Sequence, residues 1–170
     1  MDKEMMEAWQ KMAAPGKEHA LLAKMAGNWE VAIKTWMEPG APPSDGKGTA
    51  TMKMILGGRT LIEEFKGDFG GMPFEGFGTI GFYNYRQKFW QTWTDNFGTG
   101  LWQANGTINK EGNAITFVGK SDRPAANLKD MEMKTIYRLL SDDHHIFETY
   151  DVDGKGTERK TMEIEYKRKR

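Results

Sequence analysis

Near the end of this chain Met162, Ile164 and Tyr166 alternate strictly with Thr161, Glu163, Glu165 and Lys167. A period of two sends successive side chains to opposite faces of an extended strand, so this segment has one dry face and one wet face. The same pattern runs through Trp29, Val31 and Ile33 against Asn28, Glu30 and Lys34. It returns in Met131, Met133, Thr135, Tyr137 and Leu139 against Glu132, Lys134 and Arg138. Turn-forming clusters such as Pro39-Gly40, Gly57-Gly58, Ser141-Asp142-Asp143 and Asp153-Gly154 separate such segments. The spacing predicts about ten strands, over 28–36, 48–56, 59–68, 74–84, 88–96, 100–108, 114–120, 131–140, 144–152 and 158–168.

No helical pattern lies between these strands, so sequence neighbours pair antiparallel. A long sheet with one apolar face and no second layer must close on itself or fold into a sandwich. Sequential hairpins favour closure, which also removes exposed edges. The expected fold class is therefore all-β: a closed, up-and-down antiparallel β-barrel of about ten strands with N-terminal capping helices. Eight strands leave an interior just filled, or able to hold one small ligand, so ten should enclose a cavity. Gly76, Gly78 and Gly81 fall in one strand and are candidate bends at barrel corners.

Ahead of the strands, Met5, Met6, Trp9, Met12 and Ala13 fall at helical spacing. Asp2 is the expected N-cap and Pro15-Gly16 the stop. A second short helix is expected over 18–25, with Leu21, Leu22 and Met25 as its apolar face. The organisation read is a helical segment at 1–26 and a barrel at 27–170, one domain overall. On this reading Trp9 and Met12 cover one barrel end and gate access.

Lys and Arg total 24, as do Asp and Glu, so no long-range field draws the chain to nucleic acid. The basic tail from Lys167 to Arg170 reads as a solvated end. With no cysteine, disulfides, thiolate metal sites and a cysteine nucleophile are excluded. The first residues carry both signs of charge with no long apolar run after them, and no segment reads as a membrane span, so the expected location is cytoplasmic.

Gly27-Asn28-Trp29 resembles the Gly-x-Trp signature of lipocalins and other calycin barrels. That resemblance implies an Arg of the last strand lying over the Trp, and Arg168 has the matching parity. A longer series includes Pro15-Gly16-x-Glu18-His19, Leu56-Gly57-Gly58-Arg59, Gly71-Met72-Pro73-Phe74-Glu75-Gly76, Gly81-Phe82-Tyr83-Asn84 and Trp93-x-Asp95-Asn96. With Glu148-x-Tyr150 and Met162-Glu163-Ile164-x-Tyr166 it resembles the bacterial domain-of-unknown-function family 1579 (DUF1579), a calycin-like barrel family, from Pro15 onward. The resemblance implies the barrel and brings no activity with it. Tyr83-Asn84-Tyr85 stands where the family commonly has Tyr-Asp-Asn.

Buried polar groups are the informative ones, since each must be paired or shift its pKa. Glu63 shares its parity with Leu61 and Phe65, but the adjacent Glu64 leaves the register open. Asp95 follows Trp93 at a glycine-bearing turn and is either turn chemistry or a polar group at the cavity mouth. Arg59 is a candidate to reach Glu64 or Asp95, or to clamp a ligand. Tyr137, Tyr166, Thr79, Thr135 and Thr149 supply hydroxyls at expected inward positions, and Met52, Met54, Met133 and Met162 fill irregular space. His144 and His145 are adjacent and face opposite sides, and no paired-His spacing marks a metal site. No metal and no cofactor is expected; a single histidine holding haem stays open.

Three readings follow. The first is a binding module holding a small hydrophobic or amphipathic molecule against Trp29, Met52, Phe65, Phe77, Trp93, Trp102, Tyr137, Tyr166 and Arg59. The second is an enzyme using Glu63 or Asp95 as acid or base on a small organic substrate. The third is a structural homo-oligomer, with a homodimer the simplest form, through an outward patch of Trp36, Phe82 and Trp90.

Overall fold

The computed structural model describes residues 2–170. Two helices, α1 (Lys3–Ala13) and α2 (Lys17–Lys24), precede ten strands. These are β1 (Gly27–Thr35), β2 (Ser44–Ile55), β3 (Thr60–Phe69), β4 (Met72–Tyr83), β5 (Lys88–Asp95), β6 (Trp102–Ile108), β7 (Ala114–Arg123), β8 (Leu128–Ser141), β9 (His144–Val152) and β10 (Glu158–Arg168). Every strand pairs antiparallel with its sequence neighbour, and β1 pairs with β10 from Trp29↔Arg168 to Thr35↔Met162, closing the barrel. The alternation read in the sequence dictates this: inward positions on β1, β3 and β10 are mostly apolar, with Glu63 a charged exception, while Glu30, Lys34, Glu64, Lys66 and Lys167 face out. Such charged outward positions are the reverse of a lipid-facing barrel wall, and no helix among the described residues is long and apolar enough to cross a membrane.

The hairpins follow local chemistry. Phe69 pairs with Met72 across a two-residue loop in which Gly70 and Gly71 both have positive φ, 64° and 89°. A turn of that kind matches the strand twist and demands left-handed backbone at both central positions. Elsewhere in β4 glycine has another use. Gly76 and Gly78 face inward, and a Cβ there would lie 2.2 Å and 2.9 Å from the Trp93 ring of β5. Gly81 faces outward beneath the Trp90 ring, again with room for no Cβ. These three positions are therefore seats for indole rings, not the barrel-corner bends expected.

One barrel end is plugged by α2. Leu22 and Met25 are buried against the barrel interior. The Gly16 amide donates to His19 Nδ1 (2.9 Å), which leaves His19 Nε2 to donate to the Phe82 carbonyl (3.1 Å). Trp29 Nε1 donates to the Met25 carbonyl (3.0 Å). Arg168 lies over the Trp29 ring, 4.3 Å from its centroid, and donates to the carbonyls of Lys24, Ala26 and Asp142. A guanidinium at these orphan carbonyls both completes their hydrogen bonding and meets the negative end of the helix.

Helix α1 behaves differently from expectation. Asp2 caps it through a bond from the Met5 amide (2.8 Å), but none of its residues is buried and Trp9 is 70% exposed. Trp9 and Met12 therefore do not cover the barrel. Among the described residues the helix is held at its C-terminal end, where Asn84 Nδ2 donates to the carbonyls of Met12 and Ala14 and Arg59 Nε donates to that of Ala13. The expected outward patch loses Phe82 to the interior, while Trp36 stays half-buried just past the end of β1. Phe82 packs against the core, 4.8 Å from Phe89, while Trp90 is half-buried over Gly81.

Candidate functional site

At the end opposite α2 the barrel opens into a cavity of about 670 Å³. Its walls are Phe65, Phe69, Phe74, Trp93, Phe97, Trp102, Met133, Phe147, Met162 and Ile164. The aromatic wall is built ring on ring: Phe74 lies nearly parallel to Trp93 (6.4 Å), and Phe69 and Phe97 each meet Phe74 edge-on at 4.9 Å. Edge-to-face contacts of this kind add to what burial alone contributes.

Towards the plugged end the lining turns polar, with Glu63, Gln91, Thr135, Tyr137 and Tyr166. The Tyr166 hydroxyl donates to Glu63 Oε1 (2.8 Å). Thr135 Oγ1 donates to Gln91 Oε1 (3.3 Å), and Gln91 Nε2 donates to the Tyr137 hydroxyl oxygen (3.1 Å). Burial raises the Glu63 pKa from 4.5 to about 7, with the Tyr166 bond partly opposing the rise. Burial, then the Glu63 charge, pushes both tyrosines well above their usual range. At neutral pH the site thus offers neutral phenols and a carboxyl shared between its two protonation states. Three further buried polar atoms at this cavity, Thr35 Oγ1, Trp102 Nε1 and Thr149 Oγ1, have no protein partner among the described residues. Buried polar groups are ordinarily paired, and these three stand unpaired in the wall behind the cavity surface.

Of the residues singled out from sequence, Glu63, Phe65, Trp93, Asp95, Trp102, Tyr137 and Tyr166 line this cavity. Trp29 and Met52 do not: both face inward but sit near the plugged end, outside the cavity lining. Phe77 is on the outer surface, 41% exposed, because the inward positions of β4 are Phe74, Gly76, Gly78 and Ile80. Thr79 is outward too, bonded to Thr92 Oγ1. Arg59 reaches neither Glu64 nor Asp95; it is exposed and bonds to the carbonyls of Leu56 and Ala13. Asp95 accepts from Trp93 Nε1 (2.9 Å) and from the Phe97 amide (3.0 Å), holding the indole in the wall. Gln91, Phe147 and Ile164 were not singled out, although Phe89-x-Gln91-x-Trp93 carries the alternation that places Gln91 inside.

His145 is inward but below the cavity, stacked on Tyr166 (4.3 Å) and edge-on to Trp29 (4.5 Å). Burial, then the charges of Arg168 and His144, lower its pKa from 6.5 to about 3, so it is neutral.

Sequence comparison gives one family: residues 14–168 match the family described as "Protein of unknown function (DUF1579)". No curated protein matches the chain. Among solved structures, Rv2717c from M. tuberculosis is 14% identical, with a TM-score of 0.66 over 92% of this chain and 100% of that one. A redesigned barrel, EF1p2_mFAP2b bound to DFHBI, is 11% identical, with a TM-score of 0.47 over 89% of this chain and 97% of that one. At 14% identity the likeness to Rv2717c is one of fold.

Proposed function

We propose, starting from the fact that this chain belongs to the DUF1579 family, that its barrel holds one small, mostly apolar molecule, with a polar group of that molecule directed at Glu63 and Tyr137. The observation that carries the reading is the composition of the 670 Å³ cavity: aromatic and methionine walls with a polar inner end. Small-molecule sites share these features, being concave, largely apolar and fitted with a few fixed polar groups. Tyr137 accepts from Gln91, and its own hydroxyl hydrogen has no acceptor among the described residues. That leaves it as a donor for a ligand carbonyl or hydroxyl.

The test is titration with N-phenyl-1-naphthylamine, a neutral apolar fluorophore. One molecule should bind per chain, and Thr149→Phe, which fills the cavity from β9, should abolish binding while the protein still melts cooperatively. Absence of binding to the wild-type chain, or unchanged affinity in Thr149→Phe, would remove the reading.

A second reading is favoured by one observation, the near-neutral pKa of Glu63 beside the Tyr166 hydroxyl inside an apolar cavity. Such a carboxyl can give or take a proton at working pH. In this reading the barrel is an enzyme that transfers a proton on a small organic substrate through Glu63. Titration of the Glu63 carboxyl by carbon NMR decides whether it survives: a midpoint near 4.5 ends it.

A further inference from the structure

On the β7–β10 side of the mouth, Asp151 faces inward two residues beyond Thr149 and opposite Met133, both of which line the cavity. Two guanidiniums converge on it. Arg123 Nη2 bonds one carboxylate oxygen, and Arg159 Nη2 bonds the other at 3.2 Å. One carboxylate balances one guanidinium, so the cluster carries a surplus positive charge. Arg159 Nη1 is buried with no acceptor among the described residues. A desolvated donor of that kind is costly unless an acceptor arrives. Consistently, burial and the repulsion of Arg159 both disfavour the charged form of Arg123, a strain that a second anion relieves.

The cluster borders the cavity, whose own lining carries acidic side chains and, among the described residues, no cation. Asp45 and Asp95 line the opposite wall of the mouth, and Glu63 lies at the inner end. An anionic group therefore finds only one favourable place, beside Arg123 and Arg159, whose planar donor forks suit a carboxylate or sulfonate. An apolar body attached to it then has the aromatic cavity to fill.

We propose that the molecule held by this barrel is a monoanionic amphiphile, with its carboxylate or sulfonate head on Arg123 and Arg159 at the mouth, its apolar body in the aromatic cavity and an uncharged polar group reaching Glu63 and Tyr137 at the inner end. This rests on the binding reading above and narrows its ligand class.

Two probes that differ only by a sulfonate test it on the full chain: N-phenyl-1-naphthylamine and 8-anilinonaphthalene-1-sulfonate. The wild-type protein should bind the sulfonate at least tenfold more tightly, with the two probes displacing each other. Arg159→Gln and Arg123→Gln should each bring the affinity ratio close to one, and Arg159→Lys should restore only part of it, since it keeps the charge and loses the fork. If the neutral probe binds and the sulfonate is no tighter, or if both arginine variants keep the wild-type ratio, the anion assignment fails and the cavity reading stands. If neither probe binds, both fall together.

Discussion

The Tyr166 hydroxyl meets the Glu63 carboxylate at 2.8 Å, a hydrogen bond between residues 103 positions apart in the chain. It crosses the interior from β10 to β3, so it exists only once the barrel has closed. Glu63 is 4% exposed and Tyr166 1%, and no cation pairs with that carboxyl among the described residues. The barrel thus encloses an ionisable group whose charged form it disfavours, at the inner end of its apolar cavity.

That arrangement fixes a pH dependence. The folded-state pKa of Glu63 is raised from 4.5 to about 7, so between those values the folded state holds a proton that the unfolded state has released. Stability from this group is full below pH 4.5, falls as pH rises, and is lost above about pH 7. The shift corresponds to about 3 kcal/mol. Glu63→Gln, which keeps the shape without the charge, should gain on the wild type by roughly that amount between pH 4.5 and pH 8. Urea denaturation at the two pH values checks it; a difference that does not change with pH would contradict it.

His145 works in the opposite direction. Its folded-state pKa is lowered from 6.5 to about 3, so below pH 6.5 the unfolded state takes up a proton that the folded state refuses. Its contribution is complete above pH 6.5 and is lost as pH falls towards 3. Between 4.5 and 6.5 the two groups give opposing slopes, and the wild-type protein should be nearly flat there before losing stability in acid. His145→Phe retains an aromatic ring against Tyr166 and Trp29 and should remove most of that acid loss, on the order of 4 kcal/mol. Urea midpoints from pH 3 to 7 read this directly, and an acid limb as steep in the variant as in the wild type would refute it.

These groups also show what a sequence can and cannot carry. Alternation identified the inward faces of β1, β8 and β10 and therefore placed Tyr137 and Tyr166 inside, whereas on β3 the adjacent Glu63 and Glu64 left the register to be decided by the barrel. It says nothing about height along the barrel. Trp29 and Met52 have the right parity yet lie at the plugged end, because α2 descends beside them, and the helix that closes that end carries only Leu22 and Met25 as buried apolar residues. Phe77 was misread for a different reason. In Gly76-Phe77-Gly78 the aromatic residue looks like the core residue, whereas the inward space belongs to Trp93, which arrives from β5. Which side chain fills a gap in one strand is decided by the register of the next.

The Arg168 and Trp29 pair is the second link that closure creates, and it should prove more costly to break than a surface ion pair. Arg168 stacks on the indole and serves three backbone carbonyls, two of them just at or beyond the end of α2. Arg168→Met keeps the stem and removes the donors, leaving those carbonyls unpaired at a partly buried site. A loss of about 2–4 kcal/mol is expected, with a shift in tryptophan emission as Trp29 becomes wetter. Arg168→Lys should recover less than half of it, since an ammonium cannot bridge three acceptors or stack as a plane. Full recovery by Lys would mean that only the charge matters.

The seat of Trp93 gives a test of why β4 is glycine-rich. If Gly76 merely allowed a bend, Gly76→Ala would be mild or favourable, because alanine lowers the entropy of the unfolded chain where backbone geometry permits. Gly76 does not have positive φ, so the backbone permits it. The obstacle is the ring: a Cβ would lie 2.2 Å from Trp93 Cζ2, and the indole cannot slide away freely while Asp95 holds its Nε1. Overpacking of this kind costs about 1–3 kcal/mol, and the displaced ring would intrude on the cavity and weaken probe binding. In a Trp93→Leu background the clash disappears, so the cost of Gly76→Ala should shrink to near zero. A double-mutant cycle by urea denaturation measures that coupling. Equal costs of Gly76→Ala in the two backgrounds would show that the glycine answers to the backbone and not to the indole, and the account of how β4 and β5 shape the cavity wall would have to be given up.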